Sequence, residues 1–271
     1  MKNRIALGLE YDGSQFCGWQ RQKTGHSVQA ALEIALSGVA NEPIATFCAG
    51  RTDAGVHACG QVVHFDSTSE RSERAWVYGA NTILSRRQEG IRVLWTRPVS
   101  ESFNARRSAI ARRYRYVIYN HPIRPSLLRQ YVTWEYNQLD VQYMIEASQY
   151  WLGEHDFSSF RGSRCQSLSP VRNIHAIKIK RFNDQVIVEF IADAFLHHMV
   201  RNMIGVLFKI GRGEEPPRWA RMVLENQDRK TAGITAPPMG LYLVEVQYPE
   251  RFSLPKIELG PWFLNLNMSD F

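Results

Sequence analysis

The chain has 271 residues and a formal net charge of +7, with 44% hydrophobic and 22% charged residues. That balance is ordinary for a globular protein, and no apolar run reaches the length of a membrane span. Cys17, Cys48, Cys59 and Cys165 are widely spaced with no CxxC pair, which argues against a disulfide framework and a zinc ribbon.

Residues 4–11 alternate Ile5, Leu7 and Leu9 and are expected as a strand. A helix follows, capped by Ser27, with Val28, Ala31, Leu32, Ala35 and Val39 at helical spacing. Residues 44–48 and 61–65 read as strands, 69–84 as a helix and 91–96 as extended chain, so the first half runs βαββαβ. In the second half, 114–119 and 131–135 read as strands and 140–152 as a helix. Strands over 174–182 and 186–192 join through Asn183-Asp184, and helices near 197–210 and 217–226 precede a strand at 241–248. That is βαββαβ again, with an extra strand at its start. The expected class is α+β, with two ferredoxin-like (RRM-like, split βαβ) halves whose mainly antiparallel sheets flank a central catalytic cleft. The divide falls near residues 99–106, giving an N-terminal half at 1–104 and a C-terminal half at 105–271.

The N-terminus, MKNRIALGLEYDG, enters its strand pattern without a signal-peptide core, so a cytoplasmic protein is expected. Of the 33 cations, 26 are arginine, the residue suited to bidentate phosphate contacts and base stacking. Residues 86–129 carry eleven arginines against Glu89 and Glu101, interleaved with Phe103, Tyr114, Tyr116 and Tyr119. Basic residues alternating with aromatics suit a surface that grips an RNA backbone and stacks its bases. No GxGxxG or GxxxxGK[ST] loop is present, which argues against nucleotide cofactors, and no cofactor is expected. His57, Cys59 and His64 have no recognised ligand spacing, and His197 and His198 would point about 100° apart on a helix, so no metal is expected either.

The densest chemistry lies in AGRTDAGVHACGQVVHF, residues 49–65. Gly50 and Gly55 allow a sharp turn that presents Asp53 from a rigid frame. Arg51, two residues away, would favour the ionised carboxylate, as a carboxylate nucleophile requires at neutral pH. Taken alone, Thr-Asp-Ala-Gly is more often the signature of an aspartate that merely accepts backbone N–H bonds in a turn.

This stretch resembles the active-site motif of the tRNA pseudouridine synthase A family. YDGSQFCGWQ (11–20), FNAR (103–106), RRYRYVIYN (112–120), HDFSSFR (155–161), AFLHHMVRNMIG (194–205) and GLYLVEVQYP (240–249) resemble further family blocks in family order. The resemblance implies Asp53 as nucleophile, with Arg51, Tyr114 and Arg201 in the catalytic cleft and Arg112, Arg113, Tyr114 and Leu241 on the substrate. It also implies tRNA as partner, modified at positions 38 to 40 of the anticodon stem-loop, and a homodimer with tRNA contacting both subunits. The chain departs from the family pattern at LSRRQEG (84–90), where a Leu-Pro-x-Asp turn is usual, and at Asn104 and Arg107, where histidine and phenylalanine are commoner. Two rivals are a non-catalytic RNA-binding protein with RRM-like halves and a methyltransferase. The first lacks its K/R-G-F/Y-G/A-F-V-x-F/Y strand, and the second lacks a glycine-rich adenosyl loop after the first strand.

Overall fold

The structure, a computed structural model, describes residues 2–264. It divides into two compact units, one built from residues 2–110 with 242–264 and the other from residues 111–241. Both mix helices with mostly antiparallel strands, so the chain is α+β. No helix among the described residues is long and apolar enough to cross a membrane.

In chain order the first unit contains β1 (Asn3–Tyr11), α1 (Val28–Ala40), β2 (Thr46–Cys48), β3 (His57–Ser67), α2 (Glu73–Arg86) and β4 (Ile91–Val99). The second contains β5 (Ala111–Asn120), β6 (Thr133–Glu135), α3 (Val141–Gln149), β7 (Gly153–Asp156), β8 (Val171–Phe182), β9 (Gln185–Ala192), α4 (Met199–Gly211) and α5 (Trp219–Asn226). A last strand, β10 (Leu241–Gln247), begins in the second unit and continues in the first.

In the first unit β1 lies between β4 and β3, antiparallel to both, and β2 pairs antiparallel with β3. The first helix cap is the one that the sequence signals, the Ser27 hydroxyl accepting from Ala30 N–H at 3.3 Å, and α2 is capped by Ser72, which accepts from Ala75 N–H at 3.1 Å. Because Ser72 is the cap, α2 begins later than the expected residue 69. The helix presents Trp76, 1% exposed, edge-on to Phe65 of β3 at 5.0 Å, and each large apolar side chain buried this way contributes about 1.5–3 kcal/mol. The departing LSRRQEG stretch ends α2. Arg87 N–H donates to Ile83 O, Gln88 takes φ 55°, and Gly90 O then accepts from Asp12 N–H at 2.8 Å. The loop thereby braces the end of β1.

Strand β3 is longer than expected and is covered on both faces, so its polar residues need internal partners. His64, 2% exposed, stacks on Phe47 at 5.1 Å and accepts at Nδ1 from Ala105 N–H at 3.1 Å. Burial, with the nearby Arg4 charge, lowers its pKa from 6.5 to about 4. Between those values the unfolded chain takes up a proton that the folded chain refuses. The stabilisation is therefore complete above pH 6.5 and declines as pH falls towards 4. Unfolding free energy should drop by about 2 kcal/mol from pH 7 to pH 5 through this group, and His64→Gln should remove that part of the slope in urea titrations. An equal slope in wild type and variant would exclude His64 as its source.

The second unit differs from the sequence expectation at β7. Its four residues, Gly-Glu-His-Asp, pair with β8 from Gly153↔Ile174 to Asp156↔Val171, extending a sheet in which β9 lies between β5 and β8. Neither alternation nor β-branched residues announce that strand, and only its partner's register creates it. The three-residue β6 pairs with β5 in parallel. Helix α4 is buried almost throughout, and Trp151 after α3 donates its indole N–H to Ala220 O of α5 at 3.1 Å.

Candidate active site

The Asp53 loop connects β2 to β3, and its backbone is held from below by buried side chains of the first unit. Ala49 N–H donates to Val62 O at 2.8 Å, and the amide of Gln61, fully buried on β3, donates to Gly50 O at 2.7 Å. Thr52 is turned inward, where its hydroxyl meets the Tyr11 hydroxyl at 2.8 Å. Its neighbours lie on the outer side of the loop, Asp53 half-buried and Arg51 exposed. Val56 N–H returns to Asp53 O at 3.1 Å and closes the turn.

The segment between β1 and α1 forms the other wall. Trp19 N–H donates to Thr52 O at 3.0 Å and Gly55 N–H to Phe16 O at 3.4 Å. Gly18 stands where φ is +98°, and a Cβ there would come within 2.8 Å of Thr52 O and 3.1 Å of Ala54 N. Only glycine fits both the left-handed backbone and the close approach. The YDGSQFCGWQ block therefore reads physically as the bed on which the Asp53 turn rests. Tyr11, Gln61 and Thr52 were not singled out in the sequence, where the trace was their position: Tyr11 opens this block, and Thr52 and Gln61 lie inside the 49–65 stretch.

In the second unit Tyr114 of β5 is 8% exposed, faces Phe190 of β9 in register and meets Phe195 edge-on at 5.1 Å. The two candidate RNA-binding arginines beside it are largely enclosed. Arg112, 9% exposed, donates to Asp193 O at 2.6 Å, while Arg113 shares the fully buried Glu189 with Arg115, at 3.2 and 2.8 Å. Alternation along β5 puts residues 113 and 115 on one side, and Glu189 opposes Arg115 on β9, which is why the three charges meet. Such a cluster is costly to break, since removing one partner leaves a buried charge uncompensated.

Arg201, on the first turn of α4, donates from Nε to Ala236 O at 2.8 Å, and Ala236 N–H returns to Arg201 O at 3.1 Å. Leu241, 5% exposed, opens β10, and its N–H donates to Pro238 O at 2.9 Å. His197 and His198 precede the helix rather than lie on it. His198 takes φ 62°, so the helical separation expected from sequence does not apply, and the rings stack at 3.8 Å. The Tyr116 hydroxyl donates to Pro237 O at 2.8 Å and bonds the Thr133 hydroxyl at 2.7 Å, and complete burial pushes its pKa up. It is a structural tyrosine, while Tyr114 two residues away is 8% exposed. Within the first unit a carboxylate sits on a braced turn. Within the second, the Arg201 guanidinium is fixed on Ala236 O and Tyr114 is packed against Phe195.

Residues 9–106 and 147–249 match the family model described as tRNA pseudouridine synthase. The tRNA pseudouridine synthase A of Coxiella burnetii is 56% identical over 261 residues, covering 96% of this chain and 99% of its own. That of Shewanella amazonensis is 55% identical over the same shares, and that of Vibrio campbellii 53% identical over 98% of this chain and 100% of its own.

Proposed function

The chain belongs to the tRNA pseudouridine synthase family, and from that premise we propose that it is an isomerase converting uridine to pseudouridine in tRNA. The observation that carries the reading is identity above 50% over nearly the whole length of relatives bearing that name. The target uridines are those at positions 38 to 40 of the anticodon stem-loop. The enzyme works in the cytoplasm as a homodimer whose subunits both contact the tRNA, with two ferredoxin-like halves flanking the cleft. The β4-β1-β3-β2 neighbour order of the first unit supports such a half.

Asp53 is the nucleophile. The reaction breaks the C1′–N1 bond of uridine, forms C1′–C5, releases the C5 proton and protonates N1, without net oxidation. The carboxylate forms an adduct with the uridine, the detached base turns in the site, and the adduct bond breaks again before pseudouridine is released. The braced Thr52–Val56 turn favours this role because its backbone needs no reorganisation as the bond forms. The base must leave its stem, which calls for a stacking ring and a side chain to fill the vacancy. Tyr114 takes the first role, Arg51 the second, and Arg201 is assigned to the catalytic cleft. Leu241 supports the base from the start of β10.

Tritium release from tRNA labelled at uridine C5, with pseudouridine mapped in the product, tests the activity. Release from wild-type protein is expected, and its absence would leave the RNA-binding alternative. Arg112 and Arg113 are assigned to tRNA phosphates. Their double replacement by glutamine should weaken binding and flatten its salt dependence by about one unit of log–log slope per lost phosphate contact. An unchanged slope with a lowered unfolding midpoint would instead assign both to Asp193 and Glu189, their partners in the sheet.

A further inference from the structure

Between α5 and β10 the second unit carries residues 233–238, Gly-Ile-Thr-Ala-Pro-Pro, with no helix or strand of their own. An irregular segment must find donors for its carbonyls elsewhere, and the donors here are specific. Gly233 O accepts from Arg229 Nη1 at 2.7 Å, Ala236 O from Arg201 Nε at 2.8 Å, Pro237 O from the Tyr116 hydroxyl at 2.8 Å and Pro238 O from Leu241 N–H at 2.9 Å. Ile234 O crosses α4 at Gly205, where a Cβ would meet it at 2.0 Å, so the segment lies directly on the helix backbone. The strap is thus tied at one end to the helix turn bearing Arg201 and at the other to the residue opening β10.

Its central tie is a side-chain triangle. The Thr235 hydroxyl donates to Asn202 Oδ1 at 2.7 Å, and Arg229 Nη2 reaches Asn202 Oδ1 at 3.0 Å and Thr235 Oγ1 at 2.8 Å. Asn202, fully buried beside Arg201, donates its amide to Phe160 O at 2.7 Å. All of the Arg229 acceptors, Gly233 O, Asn202 Oδ1 and Thr235 Oγ1, are neutral oxygens. Partial burial lowers its pKa, and none of these acceptors carries a charge to offset it. A planar fork that can reach three acceptors at once is what the site uses.

We infer that Arg229, Asn202 and Thr235 are positioning residues for the isomerase reaction: they fix the strap, and the strap sets the Arg201 guanidinium and the start of β10 at Leu241. The inference rests on the proposed presence of Arg201 and Leu241 in the cleft. Freed from the triangle, Thr235 and Ala236 would move relative to α4, and the Ala236 carbonyl would no longer hold Arg201 Nε in one rotamer. Turnover would then fall without loss of tRNA affinity, since none of the three is assigned to RNA.

Single-turnover rates, tRNA Kd and urea midpoints measured on Arg229→Gln, Thr235→Val and Thr235→Ser test this. Thr235→Val keeps the volume and removes the hydroxyl, so it decides the matter if Arg229→Gln does not fold. Rates about tenfold lower in Arg229→Gln and Thr235→Val, with Kd within about twofold and near wild-type turnover in Thr235→Ser, are expected. Lowered urea midpoints with an unchanged rate per folded enzyme would overturn the inference and leave the triangle a purely structural tie. Arg201→Ala, assayed alongside, separates the two levels: full turnover there would overturn the assignment of Arg201 itself, whereas loss there with normal Arg229 and Thr235 variants would overturn only the positioning role.

Discussion

Asp53→Asn is expected to abolish tritium release while tRNA affinity changes less than about tenfold. The substitution removes a nucleophile and leaves the phosphate contacts in place. Its geometry makes the experiment clean. The Asp53 carbonyl, not its carboxylate, closes the turn with Val56 N–H, and the neighbouring Thr52 is anchored independently by Tyr11 and Trp19. Asparagine is nearly isosteric and preserves those backbone bonds, so the urea midpoint should stay close to wild type. Residual turnover within tenfold of wild type would refute the nucleophile assignment and return Asp53 to the ordinary role of a turn aspartate. Two-dimensional mapping of the RNA then distinguishes lost chemistry from lost binding, since bound but unmodified tRNA is the expected state.

Tyr114 carries the second large effect, and its two functions can be separated by substitution. Removing the hydroxyl in Tyr114→Phe should leave tRNA binding intact and lower product formation by about a hundredfold, if the oxygen accepts or relays the C5 proton. Tyr114→Ala should lose, in addition, about 1 to 3 kcal/mol of base stacking, seen as weaker binding. The ring is packed edge-on to Phe195 and lies opposite Phe190, so the alanine variant also opens a cavity, and its rate must be read per folded molecule. Full activity in the phenylalanine variant with loss in the alanine variant would reduce Tyr114 to a stacking platform. Normal activity in both would remove it from the cleft.

The enzyme class, the order of most elements and the residues proposed for chemistry were legible before any coordinates, because each is a local property. Period-two alternation marks β1 and β5, Ser27 announces α1 through a cap that acts over three residues, and glycines flank the Asp53 turn within a few positions. The family blocks are likewise contiguous strings. What sequence left open depends on contacts between distant residues. The strand at 241–248 reads as the close of the second half, yet β10 runs parallel to β3, pairing Tyr242 with His57 and Leu243 with Ala58, and so adds to the first unit. A partner about 185 residues away leaves no periodic mark on either strand. The four polar residues of β7 become a strand only because β8 offers hydrogen bonds in register. The arginines of β5 illustrate the same division. Composition marks them as an RNA-binding surface, but whether a guanidinium faces solvent or Glu189 is decided by the β5–β9 register, which places a buried carboxylate opposite Arg115. The strap at residues 233–238 is the extreme case: it has no secondary structure for a pattern to reveal, and it is held by Arg229, Asn202, Arg201 and Tyr116, drawn from three other parts of the chain, and by the Leu241 N–H.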